Sequence, residues 1–242
     1  MREPRLATYD DLAGILDLPL LNPEFSEEQI AAGCTTARAL GLASVIVRPT
    51  DVELVAGWMK SSAARVGTVI GWPYGNTTTP VKLYEIRDLA RRGAREFEAM
   101  INIGKMISRQ FAYIETEVLQ LVRECREADA ALKLVIEPSR MALDLRVIAI
   151  RIARRAEVDF ISVGGSLSRT RASVEDLGFV CQRAEPLVKV KAAWTATLDD
   201  ALAAWDAGCS RLSTADPDTV LEAWKARLAE EAARSTATAP AS

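Results

Sequence analysis

The amino-acid sequence predicts an α/β protein, a single-domain (β/α)8 TIM barrel over residues 1–234 followed by a disordered C-terminal tail at 235–242. Three observations carry the expectation. Short apolar, β-branched runs alternate with longer amphipathic stretches eight times, the signature of strand–helix units joined by right-handed parallel crossovers. The length, 242 residues, suits one such barrel. An open doubly wound sheet is the competing architecture, but the first turn lacks the G-x-G-x-x-G that would support it.

In chain order, the first strand falls at "GILDL" (14–18) and its helix at 26–40, where Ser26 and Gln29 have capping-box spacing. The next strands are read at 43–47 and 66–72, with helices at 50–62 and 79–93, the latter closed by Gly93. "EFEAMIN" (96–102) leads to one long helix over roughly 107–129, and "LKLVIE" (132–137) to a helix at 142–156. "VDFISVG" (158–164) precedes a helix at 173–186, "LVKVKAAW" (187–194) one at 197–208, and "SRLST" (210–214) one at 218–234. The tail "STATAPAS" is small and polar, with nothing to bury.

Composition narrows the function classes. Net charge is −3 with both signs scattered, so no basic stripe addresses nucleic acid or acidic lipid. No apolar run approaches the roughly 20 residues of a membrane span, and the start carries no signal-peptide core. Cys34, Cys125, Cys181 and Cys209 are far apart and read as buried hydrophobes in a reducing cytoplasm. The chain contains no histidine, which excludes imidazole acid–base catalysis, catalytic triads and imidazole metal sites. Neither a metal-ligand cluster nor a dinucleotide fingerprint is present, so neither metal nor other cofactor is expected.

Period-two alternation then sorts each strand into a face against the helices and a face toward the barrel axis. In "LKLVIE", Lys133 and Glu137 share the inner face with Val135. Lys189 and Lys191 point inward between Val188 and Val190. Phe97, Ala99 and Ile101 pack outside, sending Glu98 and Asn102 in. Asp17 is the polar residue of "ILDL", and Arg48 ends the second strand on inner parity. Polar residues from five strands, mostly near the C-terminal ends, describe a site where barrel enzymes place their chemistry. Lys82 and Glu85, one turn apart, read as a solvated helix pair. Trp205 and Trp224 fall on amphipathic helices, suited to core packing or a subunit contact.

The motifs "GWPYGNTTTPVK" (71–82), "AMINIGK" (99–105), "LKLVIE" (132–137), "SVEDL" (173–177), "VKA" (190–192) and "TLDDALAAWDAG" (197–208) resemble, in register, those of the deoxyribose-phosphate aldolase family. "LLNPEFSEEQI" (20–30) matches the segment after that family's first strand. The resemblance implies a cytoplasmic, metal-independent barrel, commonly a homodimer. In that family a lysine on the sixth strand forms a Schiff base with a carbonyl substrate, a second lysine stands on the seventh, and an aspartate on the fourth aids proton transfer. The matching positions are Lys191 for the second lysine and Glu98 for the aspartate, with Asp17, Lys133 and Glu137 on further matching positions. Where the Schiff-base lysine belongs, this chain has Ser162, which forms no imine.

Phosphate recognition departs as well. Gly164, Gly165 and Ser166 remain after the sixth strand, but "AWTA" (193–196) shortens the next loop and puts Trp194 where phosphate needs backbone access. Asp216 stands after the eighth strand. These changes point to a non-phosphorylated substrate. The resulting expectation is an aldolase-type lyase, or a related carbonyl enzyme, acting on a small carbonyl compound. Its catalytic residues would be Lys191 as imine former (Lys133 in reserve), Glu98 and Asp17. Lys191 is expected to have a lowered pKa beside another cation or in a desolvated pocket. Ser162, Asn102, Arg48, Glu137, Gly164, Gly165 and Trp194 would bind substrate, with Trp72 and Tyr74 as apolar walls. The alternatives are an acid–base isomerase, cyclase or dehydratase on Glu98 and Glu137, and a catalytically silent paralogue.

Overall fold

The strands are β1 (Leu16–Leu20), β2 (Ser44–Val47), β3 (Arg65–Ile70), β4 (Glu96–Met100), β5 (Ala131–Ile136), β6 (Phe160–Val163), β7 (Lys189–Ala192) and β8 (Arg211–Ser213), in a computed structural model describing residues 6–164 and 172–237. Each pairs in parallel with its sequence neighbour, and β8 closes on β1. The helices are α1 (Tyr9–Ala13), α2 (Glu27–Leu40), α3 (Val52–Trp58), α4 (Thr79–Arg91), α5 (Ile103–Ile107), α6 (Phe111–Glu127), α7 (Leu143–Ala156), α8 (Val174–Ala184), α9 (Leu198–Asp206) and α10 (Pro217–Ala237). The expected (β/α)8 architecture is the one observed.

Alternation does the sorting. Leu16, Leu18, Val45, Val47, Phe97, Ala99, Leu132, Leu134, Ile161 and Val190 are buried in the layer between strands and helices. Each of these side chains larger than alanine contributes roughly 1.5–3 kcal/mol by leaving water, which holds the helices on the barrel. Residues of the other parity line the interior. Register partners share a face, and Asp17↔Ser44, Glu98↔Lys133, Ser162↔Lys191, Lys191↔Arg211 and Ser213↔Asp17 are such partners. Gly67 leaves room in this layer, since a Cβ there would sit 2.5 Å from Ile46 Cδ1 and 3.3 Å from Glu96 Cβ.

Several boundaries differ from the sequence expectation, each for a local reason. The helix expected over 107–129 is two helices, α5 and α6, broken near Arg109, whose φ of 56° lies in the left-handed region. Where the second helix is expected to begin, at residue 50, Pro49–Asp51 form a 3-10 turn with proline at its start. A short α1, capped by Thr8 and Asp11, precedes the first strand. The Ser26–Gln29 capping box forms, with Gln29 accepting the Ser26 N–H at 2.8 Å. At the other end, α10 runs to Ala237, three residues beyond the expected boundary, and 238–242 lie outside the described residues.

Lys82 corrects the largest misreading. It is fully buried, not solvated, and donates to Glu117 Oε1 at 2.7 Å on α6 and to the Met100 carbonyl at 3.1 Å. Burial pulls its pKa down, with Glu117 opposing the shift. Glu85 turns instead to the β3–α4 loop, accepting the Gly71 N–H at 2.9 Å. Trp224 is core, its indole N–H donating to the Thr8 carbonyl at 2.9 Å.

Candidate active site

Inside the barrel, six charged side chains from five strands form one buried network. Lys133 Nζ lies 2.7 Å from Asp17 Oδ2, 2.6 Å from Glu96 Oε2 and 3.8 Å from Glu98 Oε1. Lys191 Nζ lies 2.8 Å from Asp17 Oδ2 and donates a short hydrogen bond to Glu98. Arg211 donates to Asp17 Oδ1 at 3.1 Å and to Glu96 Oε1 at 3.2 Å. Ser44 donates to Asp17 Oδ1 at 2.6 Å. Carboxylates Asp17, Glu96 and Glu98 thus face cations Lys133, Lys191 and Arg211, and the formal charges cancel. That balance makes burial tolerable, because an uncompensated charge here would cost several kcal/mol.

Electrostatics fixes the protonation states of the central pair. Burial alone would raise the pKa of Asp17, but Lys133, Lys191 and Arg211 outweigh it and hold the carboxyl far below its usual range. Burial would likewise lower Lys191, yet Asp17 and Glu98 reverse the sign and hold its ammonium above the usual lysine range. The expectation of a lowered Lys191 pKa is therefore corrected: neighbouring carboxylates decide the shift.

The structure brings together Asp17, Glu98, Lys133 and Lys191. Ser162 sits on the same inner face beside Lys191, fully buried, its hydroxyl without a hydrogen-bond partner among the described residues. Asn102 and Glu137 are buried at the C-terminal ends of β4 and β5. Asn102 caps α5 by accepting the Lys105 N–H at 3.0 Å, and Glu137 accepts the Ser139 hydroxyl at 3.1 Å. Gly164 follows β6 with φ of 80°. Trp194 is partly exposed in the loop after β7. Gly165 and Ser166 lie outside the described residues.

Arg48 does not join the cluster. It lies past the end of β2, donates to Asp51 Oδ2 at 2.6 Å and to the carbonyls of Asn22, Pro23 and Phe25, and so ties down the β1–α2 loop. The sequence reading missed Glu96 and Arg211, although "EFEAM" places Glu96 on the parity of Glu98 and "RLS" places Arg211 on that of Ser213. Asp216 caps α10, its carboxylate accepting the Thr219 N–H at 3.1 Å and hydroxyl at 2.7 Å. Those bonds, hydroxyl first, hold its pKa down.

A closed (β/α)8 barrel with converging carboxylates and lysines is the architecture of a barrel enzyme with its chemistry at the C-terminal ends of the strands. The chain is 31% identical over 219 residues to the deoxyribose-phosphate aldolase of Bacteroides thetaiotaomicron, covering 90% of this chain and 92% of that one. Among solved structures, the aldolase QR15 superposes with a TM-score of 0.84 at 26% identity, over 90% of this chain and 97% of that chain. The deoxyribose phosphate aldolase of Aeropyrum pernix, described as a unique tetramer, superposes with a TM-score of 0.85 at 24% identity, over 92% and 94% of the two chains. No family model matches the chain. The chain belongs to the deoxyribose-phosphate aldolase family.

Proposed function

We propose that this protein is an aldolase-type lyase that breaks or makes a carbon–carbon bond in a small, non-phosphorylated carbonyl compound, using a protonated lysine where its family uses an imine. One observation carries the reading. The Lys191 ammonium is held between Asp17 and Glu98, beside a Ser162 hydroxyl that has no partner among the described residues. In the cleavage direction, Glu98 takes the proton of the substrate's β-hydroxyl and the bond between the α and β carbons breaks. The β carbon leaves as an aldehyde, and the electron pair forms an enolate. Lys191 and Ser162 donate hydrogen bonds to the enolate oxygen, and Glu98 returns its proton to the α carbon. Asp17 and Lys133 keep Lys191 and Glu98 in place.

Asp216 supports a substrate without phosphate. Phosphate in such barrels sits on loops after the seventh and eighth strands and on a helix N-terminus, and here the α10 N-terminus already holds a carboxylate. Trp194 and Tyr74, partly and largely exposed, offer apolar walls instead. From the family resemblance we extend the reading to a cytoplasmic homodimer working without metal, although the Aeropyrum pernix protein is tetrameric. Light scattering, and turnover in the presence of a chelator, test these two points.

The decisive experiment incubates the protein with a panel of small β-hydroxy aldehydes and ketones, with and without borohydride, and follows both turnover and adduct mass. Turnover with no trapped lysine is expected, abolished by Lys191→Met. A borohydride-stable adduct on Lys191 would replace this mechanism by an imine one, with Glu98 as the acceptor of the lysine proton. An adduct on Lys133 would move the chemistry to that residue. Absence of turnover across the panel would return the reading to an acid–base enzyme of another class.

A further inference from the structure

At the opposite end of the barrel, where the strands begin, lies a cavity of about 710 Å³. The interior of this fold is ordinarily filled by branched apolar side chains, and its lower face serves stability. Here that end is lined by Arg65, Glu96, Phe160, Leu187, Lys189 and Arg211. Its charges are unequally available. Three acids also line it: Glu96 is held by Lys133 and Arg211, Glu157 by Arg126, and Asp159 accepts the Leu132 N–H at 2.8 Å. Arg65, by contrast, is exposed, and its guanidinium has no hydrogen-bond or ion-pair partner among the described residues. Arg211 and Lys189 stand 5.5 and 6.0 Å from the centre of the Phe160 ring, adding cations beside it. Two of the three acids are thus ion-paired and the third is engaged by a backbone N–H, while Arg65 keeps an unmatched guanidinium.

We propose that this cavity binds a small organic anion, recognised by the guanidinium fork of Arg65 and sensed by Arg211. A carboxylate and a phosphate share the required chemistry, since either accepts two parallel N–H bonds from one guanidinium. Arg211 makes the position consequential. It donates from this end of the barrel to Asp17 and Glu96, so a ligand that draws its guanidinium toward the opening loosens both contacts and changes the field at Lys191. The cavity is thereby a regulatory entrance to the charge network from the face opposite the candidate active site.

Isothermal titration calorimetry at low ionic strength tests this with succinate, inorganic phosphate and the uncharged succinamide. Binding of succinate or phosphate with a Kd below about 10 mM is expected, with no binding of succinamide. The tighter anion identifies the head group. Arg65→Ala should weaken binding about tenfold or more, and Leu187→Asp, which adds a negative charge at the exposed rim, should weaken it as well. Both positions are exposed, so the fold withstands either change. Trp194→Glu, which adds a negative charge at the partly exposed rim of the other mouth, should retain binding. The proposal is overturned if neither anion binds, if Arg65→Ala binds as tightly as the unaltered protein, or if Trp194→Glu loses binding, which would place the anion at the other mouth.

Discussion

Replacing Lys133 by methionine deletes one of three cations from a network whose charges sum to zero. The side chain is fully buried, so no water replaces the lost ammonium, and Asp17 and Glu96 lose contacts of 2.7 and 2.6 Å. Removing one partner of a buried ion pair costs about 3–5 kcal/mol. For a chain of this length each kcal/mol moves the Tm by roughly 2–4 °C, so a fall of about 6–20 °C is expected by calorimetry or circular dichroism. The surplus negative charge also favours proton uptake by a network carboxylate, raising its folded pKa above the unfolded value. Stability from such a group is present at low pH and lost as pH rises, so the deficit should be smaller at about pH 5 than at about pH 8. Lys133→Met/Glu96→Gln removes one charge of each sign and should recover more than half the loss. A single-variant loss under about 1 kcal/mol, or a double variant no more stable than the single one, would refute charge balance as the reason the network is tolerated.

Three other outcomes are expected. In the unaltered protein, the depressed Asp17 pKa contributes stability that is complete above its unfolded value and lost as pH falls below about 4. The raised Lys191 pKa contributes stability lost only as pH climbs above about 10, so this pair's share of the urea midpoint should be constant between these limits and fall on both sides. Lys82→Met strands Glu117 and frees the Met100 carbonyl, and should cost about 3–5 kcal/mol in urea unfolding despite its distance from the barrel axis. Gly75→Ala would set a Cβ 2.2 Å from the Ile101 carbonyl oxygen at a backbone φ of 69°. It should destabilise the fold by more than about 2 kcal/mol and lower turnover by shifting the end of β4, which purification yield and initial rates would show.

Strand parity explains both the legible and the illegible parts of the site. Asp17, Glu98, Lys133, Ser162 and Lys191 lie within or beside runs whose alternation fixes their direction, and closure of the barrel follows from eight such runs in order. Glu96 and Arg211 obey the same rule but stand at strand starts, away from the ends where chemistry was sought. Arg48 shows where parity stops, because one residue beyond β2 the chain enters a 3-10 turn and the side chain follows local contacts. The Lys82–Glu117 pair joins two helices across 35 residues. Helical periodicity placed Lys82 on a polar face, but the rotation that turns it inward depends on packing between α4 and α6, which the spacing of one helix does not encode. Cys181 and Cys209, far apart in sequence, are also brought together, their sulfurs 3.9 Å apart.

The neutrality of the inner network has a consequence for protein engineering. Every acid in it is already matched, so an amine installed by Ser162→Lys would arrive as a seventh charge with no counterion of its own. Repulsion from Lys191 and loss of hydration would both favour the uncharged amine, leaving a lone pair available at ordinary pH. Arithmetic among fixed neighbours, more than the inserted side chain, would then supply the nucleophile.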